Sequence, residues 1–360
     1  MMPTGPGVVA CVCVGCLLFF GILSKFRPKS WEEDEFQFYI DKFNKSYVNE
    51  TEYQQRFLAF KKSLEMIEIM NKNRTYQTSA LYGVTAFSDM LQSEFEDLRL
   101  QKNYAERMAL RQANNAGSNE KLHRFRRDFT DANLPRKIDW RTQGALTPVN
   151  NQHECGACWA FSAIETIEAA HWLRTGELRP LSTQQMIDCA RNGNNGCRGG
   201  DICTLFEWLV DNDVAIRPAD DYPLHLRDEQ CKKLTSVGNA TTASESKTDV
   251  RVTNFVCMDM IGKEDDLLAG IGRMGPVAVA VNAISWQNYL GGVIQHHCGS
   301  HPALMNHAVQ IVGYDLEAEI PHYLVRNSWG EEFGHQGYLK IAIGGNLCGI
   351  VNEVAAVEVT

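Results

Sequence analysis

Gln152-His153-Glu154-Cys155-Gly156-Ala157-Cys158-Trp159-Ala160-Phe161-Ser162 sets a cysteine six residues after a glutamine and three after another cysteine, where an apolar helical pattern begins. Ile164, Ile167, Ala170 and Trp172-Leu173 recur behind it at helical spacing, and Gly176 stands where a helix stop is expected. The spacing places Cys158 in the first turn of a buried helix. A thiol attacks as the thiolate, and its free pKa of about 8.5 falls beside a helix N-terminus or an imidazolium. Asn306-His307-Ala308 and Arg326-Asn327-Ser328-Trp329-Gly330 follow far downstream, His307 lying 149 residues after Cys158 and Asn327 lying 169 after it. The set supplies a nucleophile (Cys158), a general acid–base (His307) and an amide to orient the ring (Asn327). The Gln152 side chain and the Cys158 backbone N–H supply oxyanion donors worth roughly 3–4 kcal/mol each in acyl transfer. Trp329 is placed to cover the Asn–His pair. Taken alone, Cys155-Gly-Ala-Cys158 also reads as a thioredoxin-like redox pair, but no βαβ pattern precedes it.

Together these residues resemble the papain family of cysteine peptidases, whose signature is Cys-Gly-Ser/Ala-Cys-Trp/Tyr with His and Asn about 130–150 residues further on. The resemblance runs from about Lys25 to the C-terminus. It implies an α+β fold of two packed subdomains with the site in the cleft between them. The helical subdomain, about 134–242, would carry Cys158; a β-barrel-like one, about 243–360, would carry His307 and Asn327. The residue pattern points the same way. Helical patterns cover 158–173, 183–188 and 204–211, and short β-rich runs follow at 277–281, 307–314, 323–327 and 337–343.

The resemblance also implies a binding cleft. Gly199 and Gly200, after Cys197-Arg198, suit a loop approached closely by ligand backbone. Gly200 would hydrogen-bond the substrate main chain, and the Asn306 carbonyl would accept another bond. Ile202, Ala280, Met305 and Ala308 align with the walls of the main side-chain pocket and Glu353 with its floor. The sequence leaves open whether Glu353 pairs with a basic substrate residue there or points to solvent. No long insertion follows Cys197 of the kind that blocks the cleft in exopeptidase relatives, so an endopeptidase is expected.

Val8 to Leu23 is an apolar run of 16 residues, short of the roughly 20 that span a bilayer. It reads as a signal peptide over 1–23, with a signal anchor as the alternative, since the start is uncharged and Lys25, Arg27 and Lys29 follow the run. Of 12 cysteines, Cys11, Cys13 and Cys16 lie in this leader. By resemblance Cys155 pairs with Cys197, Cys189 with Cys231 and Cys298 with Cys348. Cys203 and Cys257 lie outside that set, as a fourth bridge or as two buried thiols. Sequons at Asn44, Asn49, Asn73 and Asn239 mark candidate glycosylation sites of a chain bound for the lysosome or the cell exterior.

Residues 24–133 hold 17 acidic and 18 basic side chains, net +1, whereas 134–360 hold 27 and 17, net −10. Two parts with such different charge face different tasks. The helical pattern from Glu52 to Asn71, with Phe57, Phe60, Leu64, Ile67 and Met70 to one side, resembles the family's propeptide helix, with Ser63 where that motif has Asn. Gly83-Val-Thr85-Ala-Phe87-Ser-Asp89 resembles its second propeptide motif. Residues 24–133 are therefore expected to be an inhibitory propeptide lying backwards in the cleft of the 134–360 peptidase, with cleavage between Arg127 and Leu134, past the basic cluster Arg124-Phe-Arg-Arg127.

Expected partners are protein and peptide substrates, the chain's own propeptide and cystatin-like inhibitors, with the protein a monomer. The acidic mature part argues against nucleic acid. No metal or cofactor is expected, and His296, His297 and His301 near Cys298 read as exposed loop histidines. Two competing readings are a catalytically weak relative that binds peptides or inhibitors, and a thiol–disulfide oxidoreductase, which needs Cys155 free.

Overall fold

The alternation Val277-Ala-Val-Ala-Val281 explains how one sheet serves two cores. In a strand, successive side chains face opposite sides. Val277, Val279 and Val281 join a core with Val309, Ile311 and Tyr323, while Ala278 and Ala280 face a second core with Cys158, Phe161 and Ile164. The alanine face is flat enough for a helix to lie close against it. That helix is Cys158–Thr175, buried along most of its length and ended by Gly176 in the left-handed conformation (φ 74).

The computed structural model describes residues 30–72, 74–114, 134–232 and 249–360. Two compact units divide the chain at Lys61. In the first, the helix Trp31–Lys42 is closed by a Ser30/Glu33 capping box. Its Phe36 ring touches Tyr39, Tyr47, Tyr53, Phe57 and Phe60, an aromatic cluster that lets a small unit bury a core. The helix Glu50–Asn71 starts in this unit.

The second unit holds the rest, built around strands β1 (Leu81–Tyr82), β2 (Lys137–Asp139), β3 (Val252–Met258), β4 (Val277–Val281), β5 (Tyr289–Gly291), β6 (Val293–Ile294), β7 (His307–Asp315), β8 (His322–Arg326), β9 (Tyr338–Ala342) and β10 (Val354–Val359). The large sheet runs β3-β10-β4-β7-β8-β9-β6, with β2 also paired to β7. Helices Thr183–Cys189 and Ile202–Asp211 accompany the Cys158 helix, and Glu264–Met274 packs on the other face of the sheet.

Two features differ from the expected subdomain split. The segment from residue 134 opens as strand β2 inside the sheet, and its Trp140 is buried in the sheet core, donating to the Ile271 carbonyl at 3.0 Å. Three residues are too few to show a period, and their partner strand lies far along the chain. The β-rich half also contains the helix Glu264–Met274, whose Leu267, Leu268 and Ile271 supply its apolar stripe.

Among the described residues four disulfides are formed: Cys155–Cys197, Cys189–Cys231, Cys203–Cys257 and Cys298–Cys348. The bridge at Cys155 removes the free partner that the oxidoreductase reading required. Cys158 is the free cysteine among the described residues. No helix among them is long and apolar enough to cross a membrane. The leader, the cluster Arg124–Arg127, and Asn73 and Asn239 lie outside the described residues. Asn44 and Asn49 are exposed.

A buried cation links the halves. Arg326 has no solvent exposure and reaches Glu165 of the Cys158 helix at 3.3 Å and the Thr147 hydroxyl at 3.2 Å. Removing one partner of a buried pair strands the other charge. Glu165→Ala should therefore cost about 3–5 kcal/mol of stability, read as a lowered denaturation midpoint of the full chain in urea.

Candidate active site

The uncapped start of the Cys158 helix places the thiol. Ala157 at the cap position contributes no side-chain bond; the Ala160 N–H turns back to the Ala157 carbonyl at 2.8 Å, and the N–H groups of Cys158 and Trp159 face the Cys158 sulfur. His307 opens β7 and Asn327 follows β8, so the antiparallel β7–β8 pair brings them together. His307 Nε2 lies 2.8 Å from Asn327 Oδ1, and both residues are fully buried. His307 Nδ1 has no hydrogen-bond partner among the described residues. The Trp329 ring lies over the imidazole at 4.9 Å between centroids, and Trp286 meets it edge-on at 6.0 Å.

Gln152 is oriented by Ser328, whose hydroxyl donates to Gln152 Oε1 at 2.6 Å. The amide nitrogen is thereby left to face the Cys155 carbonyl (3.1 Å) and the Arg99 carbonyl (3.4 Å). Ser328 was not singled out in the sequence; its place between Asn327 and Trp329 was the available signal.

The N-terminal segment fills this site. Asn71 exchanges two hydrogen bonds with the Tyr82 backbone, and β1 pairs antiparallel with β5. The Thr85 hydroxyl donates to the Gln287 carbonyl at 2.7 Å, and Gln287 Nε2 donates to the Phe87 and Met90 carbonyls, both at 2.9 Å. Phe87 and Phe95 then pack edge-on against Trp329. Past the helix Gln92–Arg99, Gln101 enters the cleft. Its backbone N–H donates to the Asn306 carbonyl at 2.7 Å, its side-chain oxygen accepts from the Gly200 N–H at 2.8 Å, and its amide nitrogen donates to Cys158 Sγ at 2.9 Å. Gly199 (φ 105) and Gly200 permit this approach. A Cβ on Gly199 would lie 2.6 Å from the Gln101 oxygen, and one on Gly200 would lie 2.4 Å from the Trp159 ring.

The following helix, Tyr104–Asn114, closes the side-chain pocket. Tyr104 and Met108 are buried in one cluster with Ile202, Ala280, Met305 and Ala308. Glu353 is 1% exposed, so the solvent-facing alternative is overturned. Its carboxylate accepts from the Tyr104 hydroxyl at 2.8 Å and from the Arg111 guanidinium, which also reaches Asp201 at 3.1 Å. Neither Arg111 nor Tyr104 stands out in the sequence, because both lie in an ordinary amphipathic helix.

Enclosure reverses the expected electrostatics. Burial pushes the Cys158 thiol up to about 11, against smaller opposing effects of the Gln101 amide and the Ala308 N–H. Burial pushes His307 down to about 4, partly offset by Asn327. The lowered thiol pKa expected from the helix end is therefore absent while the segment is docked, since neither charged form has water to solvate it. Glu353 is raised to about 7, first by burial and then by Asp201.

A family model described as papain family cysteine protease matches residues 134–358, and one described as cathepsin propeptide inhibitor domain (I29) matches residues 36–95. Cathepsin O of Mus musculus is 37% identical over 307 residues, covering 85% of this chain and 91% of that protein. Cathepsin O of Homo sapiens is 33% identical over 306 residues, covering 84% and 87%. Among solved structures, digestive procathepsin L2 from Tenebrio molitor larval midgut superposes with TM-score 0.73 at 30% identity, covering 91% of this chain and all of that one. The proform of the Amb a 11 cysteine protease, a ragweed pollen allergen, superposes with TM-score 0.75 at 28% identity, covering 91% and 94%.

Two outcomes are expected of the docked segment. Gln101→Ala removes two side-chain hydrogen bonds at the cleft and should speed alkylation of Cys158 in the uncleaved chain about tenfold, followed by mass spectrometry. The second concerns pH. A depressed imidazole contributes to docking fully above the ordinary 6.5, and that contribution is lost as the pH falls toward about 4. Glu353 acts oppositely, its contribution being full below 4.5 and lost as the pH rises through about 7. Because the two oppose each other over overlapping ranges, the His307 part is read with Glu353 silenced: in a Cys158→Ala/Glu353→Gln chain, proteolytic sensitivity of the docked segment should rise across about pH 6.5 to 4. Adding His307→Gln should flatten that rise.

Proposed function

The chain belongs to the papain family of cysteine proteases and carries the cathepsin propeptide inhibitor domain, hence is a zymogen, and we propose that it is a lysosomal or secreted endopeptidase acting through a Cys158 acyl-enzyme. The observation that carries this reading is the triple engagement of Gln101 by Gly200, Asn306 and Cys158. A cleft that grips one carboxamide through a backbone donor, a backbone acceptor and the nucleophile is built to grip the backbone of an extended peptide.

With the propeptide gone, water returns to the site and the thiolate–imidazolium pair becomes the stable form. The Cys158 thiolate attacks the substrate carbonyl carbon. The resulting oxyanion is held by the Gln152 amide N–H, freed from the Arg99 carbonyl, and by the Cys158 backbone N–H at the helix start. His307 gives its proton to the leaving amine, and the C–N bond breaks to leave a thioester. His307 then takes a proton from water, which attacks the thioester, and Cys158 leaves as thiolate. Asn327 holds the ring through Oδ1, and Trp329 shields that bond from water. Substrate side chains enter the pocket between Ile202, Ala280, Met305 and Ala308, above Glu353.

Glycans at Asn44 and Asn49, both exposed, suit passage through the secretory pathway, and four disulfides suit an oxidising compartment. The same cleft, once open, offers cystatin-like inhibitors a site, and the working unit is a monomer.

Acid-treated protein exposed to an epoxysuccinyl thiol probe should be labelled on Cys158 with loss of the propeptide and gain of peptide hydrolysis, and Cys158→Ala should show neither labelling nor hydrolysis. Propeptide release without labelling or hydrolysis would overturn the reading.

A further inference from the structure

The pocket floor carries two carboxylates where a simple acidic pocket needs one. Asp201 and Glu353 are each 1% exposed, with carboxylate oxygens within 4.8 Å of one another. Asp201 Oδ1 caps the helix Ile202–Asp211 by accepting from the Thr204 N–H at 2.7 Å and also accepts from Arg111 Nε at 3.1 Å. Its second oxygen, Oδ2, is buried with no hydrogen-bond partner among the described residues. Arg111 Nη2 meets Glu353. One planar guanidinium thus spans both acids, a task for which a forked donor is suited and a point ammonium is not.

A disulfide joins the elements beside these two acids. Cys203 lies two residues after Asp201. Cys257 pairs across the sheet with Ala355, two residues after Glu353. The Cys203–Cys257 bridge therefore ties the first turn of the helix that Asp201 caps to the strand paired with β10, which Glu353 immediately precedes, and the Cys203 sulfur is committed to that bridge.

Resting on the protease reading above, we propose that Asp201 and Glu353 form a two-carboxylate cradle selecting arginine, over lysine and over apolar residues, as the substrate side chain in this pocket, with Cys203–Cys257 as the positioning element and propeptide Arg111 as the stand-in for that arginine. Departure of Arg111 and Tyr104 leaves the two acids facing the opened pocket without their cation, and a substrate guanidinium restores the same forked contacts.

The test uses the full-length chain activated at acid pH, active-site titrated with the epoxysuccinyl probe, and peptide pairs differing only in Arg, Lys or Leu at the pocket position. Wild type should favour Arg over Lys and both over Leu in kcat/KM. Asp201→Asn keeps the helix cap and the side-chain volume. It should lower the Arg/Lys ratio about tenfold, the size of one lost charge-assisted hydrogen bond. Cys203→Ala/Cys257→Ala should lower the same ratio through KM. A labelled wild type that prefers Leu, or an Asp201→Asn enzyme with an unchanged ratio, overturns the cradle and leaves the protease reading standing. A lower melting temperature with an unchanged ratio in the double cysteine variant overturns the positioning role. A wild type that neither labels nor hydrolyses any peptide overturns the protease reading and the cradle with it.

Discussion

Arg326 is a guanidinium with no access to water, and the site depends on where it points. It is the last residue of β8, immediately before Asn327, whose amide holds His307. Its guanidinium reaches Glu165, two turns along the helix from Cys158, and the Thr147 hydroxyl and Pro148 carbonyl on the segment leading to Gln152. One side chain thus fixes the relative places of the thiol, the imidazole, the amide and the oxyanion donor. A buried pair of this kind adds little net stability over an apolar replacement, but any arrangement that separates the charges is penalised heavily. Its contribution is to the uniqueness of the assembly, which a cleft shared by helix and sheet needs more than it needs extra stability.

The docked propeptide sets the chemistry of the same four residues. The imidazole and the thiol are held in a dry enclosure where each is neutral, and the Gln152 amide faces a propeptide carbonyl. Exclusion of solvent is what holds both groups in their uncharged forms. The aromatic rings of Phe87 and Phe95 on Trp329 extend the same dry environment over the His307–Asn327 bond.

The candidate catalytic set was legible in the sequence because chemistry restricts both residue type and spacing: few side chains can replace a Cys, a His, an amide and a Gln in the roles proposed for them. Strand β4 was legible because its alternation of valine and alanine states which face meets which core. The propeptide motifs were legible, and Asn71 proves to hold the backbone of Tyr82. What escaped was set by tertiary proximity. Strand β2 is too short to show a period. Gln101, Tyr104 and Arg111 belong to ordinary local patterns and acquire meaning only against Gly200 and Glu353. The pairing of Cys203 with Cys257 depends on a distance that only the assembled helix and sheet determine.

The orientation of the Gln101 amide has a further consequence. It presents nitrogen, not carbonyl carbon, to the sulfur. The nucleophile therefore meets a donor where a substrate would offer an electrophile. A hydrogen bond to an anion is roughly twice as strong as one to a neutral acceptor. Should Cys158 ionise beneath the propeptide, the contact would tighten. The blockade is thus strongest against the very species that would attack, and the enzyme cannot free itself merely by becoming reactive.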